Sequence, residues 1–362
     1  MKLICTQENL KIGLGNASKI ISSINTLPIL NNLLLKTENG QLKISSTNLE
    51  LAINTQIRCR VENEGQTTVV AKTLNELVNN LPNNNLTLEH KNNELNIQAE
   101  NQVFKIRTLP AEEFPFIPQP PNNNPVIIEG ENLRTAINQV GFSASNNQTQ
   151  PEISGIYFSL KGGEVRLAAT DRYRLAEKVI KGEGLGEVII PQKCAHEVAR
   201  ILSTQPEKTE VLINENKIFF TIGQTQIISR LVEGQYPDYK NIIPETFNTT
   251  ITLEKDKLYS ALKPSALFSQ NSSSVKIDYS QEKQKVTVSS EAQDLGSGWV
   301  EITSKVEGGS GSLLLNFRYV LDFLTQASGE KVVIKVVNDS SPAVFSVEGQ
   351  SDYLYLVMPI KI

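Results

Sequence analysis

The chain repeats itself. Pro28-Ile29-Leu30-Asn31-Asn32-Leu33-Leu34-Leu35, a turn and Leu42-Lys43-Ile44-Ser45-Ser46-Thr47-Asn48 return as Pro151-Glu152-Ile153-Ser154-Gly155-Ile156-Tyr157-Phe158, a turn and Val165-Arg166-Leu167-Ala168-Ala169-Thr170-Asp171. Both parts of the second copy follow the first by the same 123 residues. A fainter third copy, Val275-Lys276-Ile277-Asp278-Tyr279 and then Val286-Thr287-Val288-Ser289-Ser290-Glu291, lies close to twice that distance. A constant offset over separate segments marks a duplicated structural unit. The period exceeds the roughly 20–45 residues of a solenoid repeat, so each copy has the size of a domain.

Each copy opens with a strand running into a helix: Leu3-Ile4-Cys5-Thr6 into Gln7, Ile127-Ile128-Glu129-Gly130 into Glu131, and Ile251-Thr252-Leu253-Glu254 into Lys255. Each carries a later helix, over 72–81, 192–202 and 316–324. Leu10, Leu14, Ala17, Ile21 and Ile24 form one stripe at helical spacing, although Gly13 and Gly15 each weaken that helix by up to about 1 kcal/mol. Leu74, Leu77, Val78 and Leu81 mark the second helix. Leu49, Leu51, Ile53, Ile57, Cys59 and Val61 mostly alternate, as strands do. The first two copies close on Phe114-Pro115 and Tyr236-Pro237. Proline- and asparagine-rich segments then place the domains at 1–121, 122–246 and 247–362. The fold class is α+β: three similar domains of antiparallel sheets, each with two helices on one face. Three like units suggest a closed, near-symmetric object, with tandem domains on flexible linkers as the alternative.

Composition narrows the function. Of 362 residues, 39% are hydrophobic and 20% charged, and the net charge is -4, which excludes a uniformly basic nucleic-acid coat. Cys5, Cys59 and Cys194 are scattered, so neither a disulfide framework nor a zinc cage is expected; they read as buried thiols of a reducing compartment. The opening residues turn polar too soon for a signal peptide, and no run reaches the roughly 18 apolar residues of a membrane span, so a cytoplasmic chain is expected. His90 reads as part of a solvated turn and His196 as a helix-surface residue. No nucleophile elbow, phosphate loop or zinc-binding helix motif occurs, and no cofactor or metal is expected.

Positive charges fall on the helices: Lys11, Lys19, Arg134, Lys193, Arg200, Lys257, Lys263 and Arg318. Lys193 and Arg200 are seven apart and share a face. Glu62, Glu64, Glu112, Glu113, Glu282 and Glu291 fall in strands or their connections. A positive helix layer over an acidic sheet layer is the reading, against ordinary solvated helix faces.

Six ordered motifs carry a resemblance. They are Thr26-Leu27-Pro28-Ile29-Leu30-Asn31-Asn32-Leu33-Leu34-Leu35; 151–158; Ala169-Thr170-Asp171-Arg172-Tyr173-Arg174-Leu175-Ala176; Glu233-Gly234-Gln235-Tyr236-Pro237-Asp238-Tyr239; Asn316-Phe317-Arg318-Tyr319-Val320-Leu321-Asp322; and Leu356-Val357-Met358-Pro359-Ile360-Lys361-Ile362. Together they resemble the bacterial sliding clamps, the beta subunits of DNA polymerase III. The resemblance implies a head-to-tail homodimeric ring, helices inside, that encircles duplex DNA without reading it. It implies a non-enzymatic processivity factor serving a replicative polymerase subunit, a clamp loader and other replication and repair proteins, with no membrane partner. The basic residues above would face the DNA.

Residue matching implies a peptide groove lined by Ile153, Thr170, Leu175, Pro237, Ile242 and Met358, edged by Arg174, Asn316 and Tyr319, and completed by Leu356, Pro359 and Ile360. It also implies a dimer interface of Phe104 and Ile106 against Leu267 and Phe268. The chain departs from the family at Ile24 and Gln150, where arginines are common, and at Arg172-Tyr173, where a Gly-His-type pair is commoner. A hydrolase using Asp171 and Asp238 as paired carboxylates is the competing reading, and a surface array of β-rich domains is a third.

Overall fold

The computed structural model describes residues 1–21, 27–147, 149–184, 186–269, 273–292 and 295–361. Ile24, Thr26 and Ile362, named above, lie outside them. The chain forms three similar α+β domains. Each opens with a strand and a helix: α1 (Gln7–Ala17) follows Lys2–Thr6, α3 (Gly130–Gly141) follows Val126–Ile128, and α5 (Lys255–Ser265) follows Thr249–Glu254. Each continues through further strands to a second helix: α2 (Ala71–Asn80), α4 (Gln192–Thr204) or α6 (Phe317–Gln326). Three antiparallel strands close the domain, the first set being Asn85–Lys91, Glu94–Ala99 and Gln102–Leu109.

Two compact units result: Met1–Glu131 with Glu197–Leu231, and Asn132–His196 with Val232–Ile362. In the first, a thirteen-stranded antiparallel system joins the first repeat to the end of the second. Leu51–Arg58 pairs with Thr225–Arg230 from Leu51↔Ser229 to Thr55↔Thr225. The second unit has a nine-stranded and a four-stranded sheet. There Arg174–Lys181 pairs with Tyr353–Val357, from Arg174↔Val357 to Lys178↔Tyr353.

The first core shows how helix and sheet meet. Leu10, Leu14 and Ala17 of α1 and Leu74 and Val78 of α2 are fully buried with Leu33, Leu35, Leu42 and Ile44 of the sheet. Gly13 belongs to this contact. A Cβ there would lie 2.7 Å from Ile57 Cγ2 and 2.9 Å from Ile44 Cδ1. The helical propensity lost at Gly13 is the condition for close approach of α1 to the strands.

Two local expectations are corrected. The helical stripe does not run on to Ile21: α1 stops at Ala17 and tightens into a 3₁₀ turn over Ser18–Ile20. The Ala17 carbonyl is taken by Ser46 Oγ at 2.6 Å, and Ser18 Oγ turns back to the Leu14 carbonyl. Polar groups of the sheet and of the helix itself thus satisfy the last carbonyls. His90 lies in the Asn85–Lys91 strand, half-buried, with Nε2 3.2 Å from Thr108 Oγ1; the turn is Asn92-Asn93, both at positive φ. Burial, aided by the nearby amino terminus, lowers the His90 pKa.

The cysteines form no disulfide, and burial pushes the Cys5 thiol up to about 12. Among the described residues no helix is long and apolar enough to cross a membrane.

Among the strands with an open side, two are eight residues long. Gly296–Thr303 ends the four-stranded sheet. Gln102–Leu109 pairs along one side with Glu94–Ala99, but on the other, among the described residues, only Thr108 and Leu109 pair with a neighbouring strand.

Gly130 starts α3 where a Cβ would lie 2.0 Å from the Glu207 carbonyl oxygen and 2.9 Å from Leu202 Cδ2. Backbone cannot yield as a side-chain tip can. Gly130→Ala is expected to lower stability by about 1–3 kcal/mol. Urea unfolding followed by circular dichroism checks this, and an unshifted midpoint would contradict it.

Candidate functional site

A tight turn between the Glu164–Thr170 and Arg174–Lys181 strands organises the second unit's candidate site. Thr170 Oγ1 donates to the Arg174 carbonyl at 2.6 Å and accepts from the Arg172 N–H at 3.1 Å. Asp171 Oδ1 accepts from the N–H groups of Tyr173 and Arg174, each at 3.0 Å. Side-chain oxygens next to the backbone they satisfy are what Thr and Asp offer a turn. The turn forces Arg172 to φ +78°, a left-handed conformation that costs a side chain of its size about 1–3 kcal/mol.

Arg174 fastens this turn to its surroundings. Its Nε donates to Asp171 Oδ2 at 2.9 Å, one terminal nitrogen to Asp322 Oδ2 at 2.5 Å, and the other to the Phe142 carbonyl at 2.8 Å. The guanidinium sits 4.5 Å from the centre of the Tyr319 ring. Burial works against the charge, but Tyr355, Asp322 and Asp171 outweigh it and raise the Arg174 pKa. Asp171 is thereby fully engaged, and Asp238 Oδ2 accepts from Asn241 Nδ2 at 2.8 Å. The hydrolase reading finds no support in either carboxylate.

Beside the turn is a cleft of about 450 Å³. Ile153, Thr170, Pro237 and Ile242 line it with Gln150, Glu152, Arg172, Gln235, Asp238 and Tyr239. Leu175 and Leu356 lie beneath it, 0% and 1% exposed, in a cluster with Ala168, Ile189, Tyr236, Tyr239 and Val344. They support the cleft floor and do not present a surface. Met358 packs against the same cluster, and its N–H donates to the Tyr173 carbonyl at 2.8 Å. Pro359 is buried, while Ile360 is exposed and held by its N–H on the Leu314 carbonyl. Asn316 spends its side chain capping α6, accepting from the Arg318 N–H at 3.0 Å. Tyr319, half-buried, is the ring under Arg174.

Sequence reasoning missed the aromatic support. Tyr157, Tyr236 and Tyr239 have ring centres 5.3–6.2 Å apart, and Tyr239 donates to Glu177 Oε2 at 2.5 Å. Burial pushes the Tyr236 and Tyr239 phenols up, with the Glu177 bond adding to the latter. Only the Tyr-Pro pair was visible as a signal.

The basic residues are not equivalent. Lys11, Lys19 and Lys193 are exposed. Lys257 is exposed but bonded to Glu254 at 2.7 Å, Lys263 lies over the Tyr259 ring and Arg318 over the Phe317 ring. Arg134 is half-buried. Arg200, on the same helix seven residues after Lys193, is half-buried, its Nε bonded to Glu197 at 2.7 Å and a terminal nitrogen to the Asn16 carbonyl at 3.0 Å. Its guanidinium is thus already engaged by a carboxylate and a carbonyl, unlike the exposed Lys193. Lys72, exposed on α2, was overlooked.

The expected interface residues also differ among themselves. Phe104 is 37% exposed and Leu267 58%. Ile106 is not part of an exposed edge: it is 8% exposed and belongs to the first domain's own core. Phe268 lies against Gly298. Val103 at 60% and Trp299 at 69% are the more exposed apolar residues of the two open strands, and neither was foreseen.

Three family models describe this chain in order: the DNA polymerase III beta subunit N-terminal domain over residues 1–118, its central domain over 127–238 and its C-terminal domain over 240–361. The beta sliding clamp of Synechocystis sp. is 29% identical, with both chains covered completely. The DNA polymerase III beta subunit structure of Thermotoga maritima superposes with a TM-score of 0.93 at 26% identity, covering 100% of this chain and 99% of that one. The C. crescentus beta sliding clamp does so with a TM-score of 0.93 at 27% identity and the same coverage. Three repeated α+β domains of this topology define the DNA sliding clamp class, whose members are accessory subunits and not catalysts. The chain belongs to the DNA polymerase III beta subunit family.

The buried tyrosines give a pH test. Burial holds Tyr236, Tyr239, Tyr353 and Tyr355 above the ordinary value of 10.0. A raised phenol favours the fold fully below pH 10, and that contribution is lost as pH climbs towards the raised value. A phenolate absorbance titration should therefore stall before all nine tyrosines ionise, the rest ionising only together with loss of the circular dichroism signal. Complete ionisation of the folded chain near pH 10 would contradict the burial.

Proposed function

We propose that two copies of this chain join head to tail into a ring that encircles duplex DNA and holds a replicative polymerase subunit to it. On this reading segments 1–121, 122–246 and 247–362 are the three domains, and the ring works in the cytoplasm. The observation that carries the proposal is the pair of open strands. Gln102–Leu109 and Gly296–Thr303 are both eight residues long, and each presents apolar side chains to solvent: Val103 and Phe104 on one and Trp299 on the other, with Leu295 exposed just before that strand and Leu267 exposed on the turn that brings Phe268 to Gly298. An exposed apolar edge invites a partner strand. One chain carries both edges, so the same contact repeats around a two-fold ring and covers both of them.

Family membership supports the DNA role. Lys11, Lys19, Lys193 and the other helix cations would meet phosphates without reading bases, in contacts that are sequence-independent and weakened by salt. A net charge of -4 is compatible with this, because closure retains the duplex and attraction does not have to. The Ile153–Ile242 cleft, with Arg174, Asn316, Tyr319 and the Leu356–Ile360 tail around it, would take short extended peptides of the polymerase, a clamp loader and other replication and repair proteins. Apolar lining with a few polar groups at the rim suits such peptides.

The test separates ring from cleft. Trp299→Asp should give a folded monomer by sedimentation that is not retained on circular DNA. Wild type should stay on the circle and leave once it is cut. Interface aromatics commonly cost about 2 kcal/mol or more when removed, and one substitution strikes both contacts of the ring. Ile242→Glu should instead keep the dimer and its DNA retention while weakening polymerase binding at least about tenfold. An undiminished Trp299→Asp dimer retained like wild type would refute the proposed edges.

A further inference from the structure

The first unit holds a second cleft whose backbone repeats the first. Thr47 Oγ1 donates to the Leu51 carbonyl at 3.2 Å and accepts from the Leu49 N–H at 3.0 Å. Asn48 Oδ1 accepts from the N–H groups of Glu50 at 3.1 Å and Leu51 at 2.8 Å. These are the bonds of the Thr170-Asp171 turn, 123 residues earlier. Leu49 stands at φ +75° where Arg172 stands at +78°. Phe114-Pro115 follows at the place of Tyr236-Pro237. Around this turn is a cleft of about 280 Å³ with Leu49, Leu51, Ala52, Pro115, Ile117 and Ile228 among its lining residues.

The backbone is repeated but the chemistry is not. Leu49, 54% exposed, replaces the arginine, and Phe116, 87% exposed, stands where the first cleft has Asp238. The rim carries Lys217 and Arg230 with Glu50 as its one acid, whereas the first cleft has Glu152 and Asp238 with Arg172. Neither Lys217 nor Arg230 forms an ion pair among the described residues. Lys217 Nζ reaches only Asn216 Oδ1, at 3.1 Å.

We propose that this cleft is a second peptide-docking site, for a short extended segment of a partner protein that alternates aliphatic residues with carboxylates. In such a strand the aliphatic side chains share one face and can enter the Leu51–Ile117 lining. The carboxylates on the other face reach Lys217 and Arg230. The occupant's class rests on reading the Ile153–Ile242 cleft as a peptide groove; its charge rests on this rim alone.

The test uses the full-length protein and fluorescein-labelled Ile-Asp-Leu-Asp-Leu-amide, read by fluorescence anisotropy. Ile242→Glu obstructs the first cleft, and in that background the probe should still bind, more weakly as salt rises. Adding Lys217→Glu with Arg230→Glu should weaken it at least about tenfold. A lysine version, Ile-Lys-Leu-Lys-Leu-amide, should show the reverse order, which a merely misfolded variant would not. Absence of binding in the Ile242→Glu protein, or equal affinity after the charge reversal, would overturn the second site. Failure of the first-groove reading would show differently, as wild-type affinity and stoichiometry unmoved by Ile242→Glu.

Discussion

Main-chain pairing between repeats is the constraint on which the structure depends. Each unit is joined across a repeat boundary by an antiparallel ladder of five residue pairs, Leu51–Thr55 with Thr225–Ser229 in one and Arg174–Lys178 with Tyr353–Val357 in the other. Backbone groups have no side-chain identity, so such a joint tolerates divergence of the residues along it while demanding continuous extended geometry. It also explains why compact units and sequence repeats divide the chain differently. The second repeat gives its opening strand Val126–Ile128 and the segment Glu197–Leu231, with its closing strands, to the first unit, and Asn132–His196 with the residues from Val232 on to the second.

The sequence shows the repeats and their elements because these depend on periodicity and local chemistry. The Thr170-Asp171 pair, the strand-to-helix openings and the Asn316 cap are signals over a few neighbouring residues. What it hides depends on residues far apart in the chain. Arg200 looks like a free cation until Glu197 and the distant Asn16 carbonyl are seen around it. Ile106 alternates with Phe104 and so seems to share its exposure, yet it falls over the core while Phe104 lies nearer its margin. Trp299 follows Gly296-Ser297-Gly298 and directly precedes Val300, and only the sheet order reveals it as part of an open strand.

The cleft divides its labour between residues that would meet a peptide and residues that hold the cleft in shape. Arg174 is the clearest of the second kind. Its bonds to Asp171, Asp322 and Phe142 fix the turn before any ligand arrives, and a rim already ordered loses less freedom on binding. The buried tyrosines under Pro237 act in the same sense, replacing a flexible apolar floor with stiff rings in fixed contact.

The left-handed residues in the two Thr turns have a historical consequence. Leu49 and Arg172 share neither charge, shape nor polarity, yet their φ angles differ by three degrees. The strained main chain has outlasted the side chains it once shared. At this position the repeat is carried by the torsion angle and not by the residue, whereas two residues earlier in each turn Thr47 and Thr170 carry it in both.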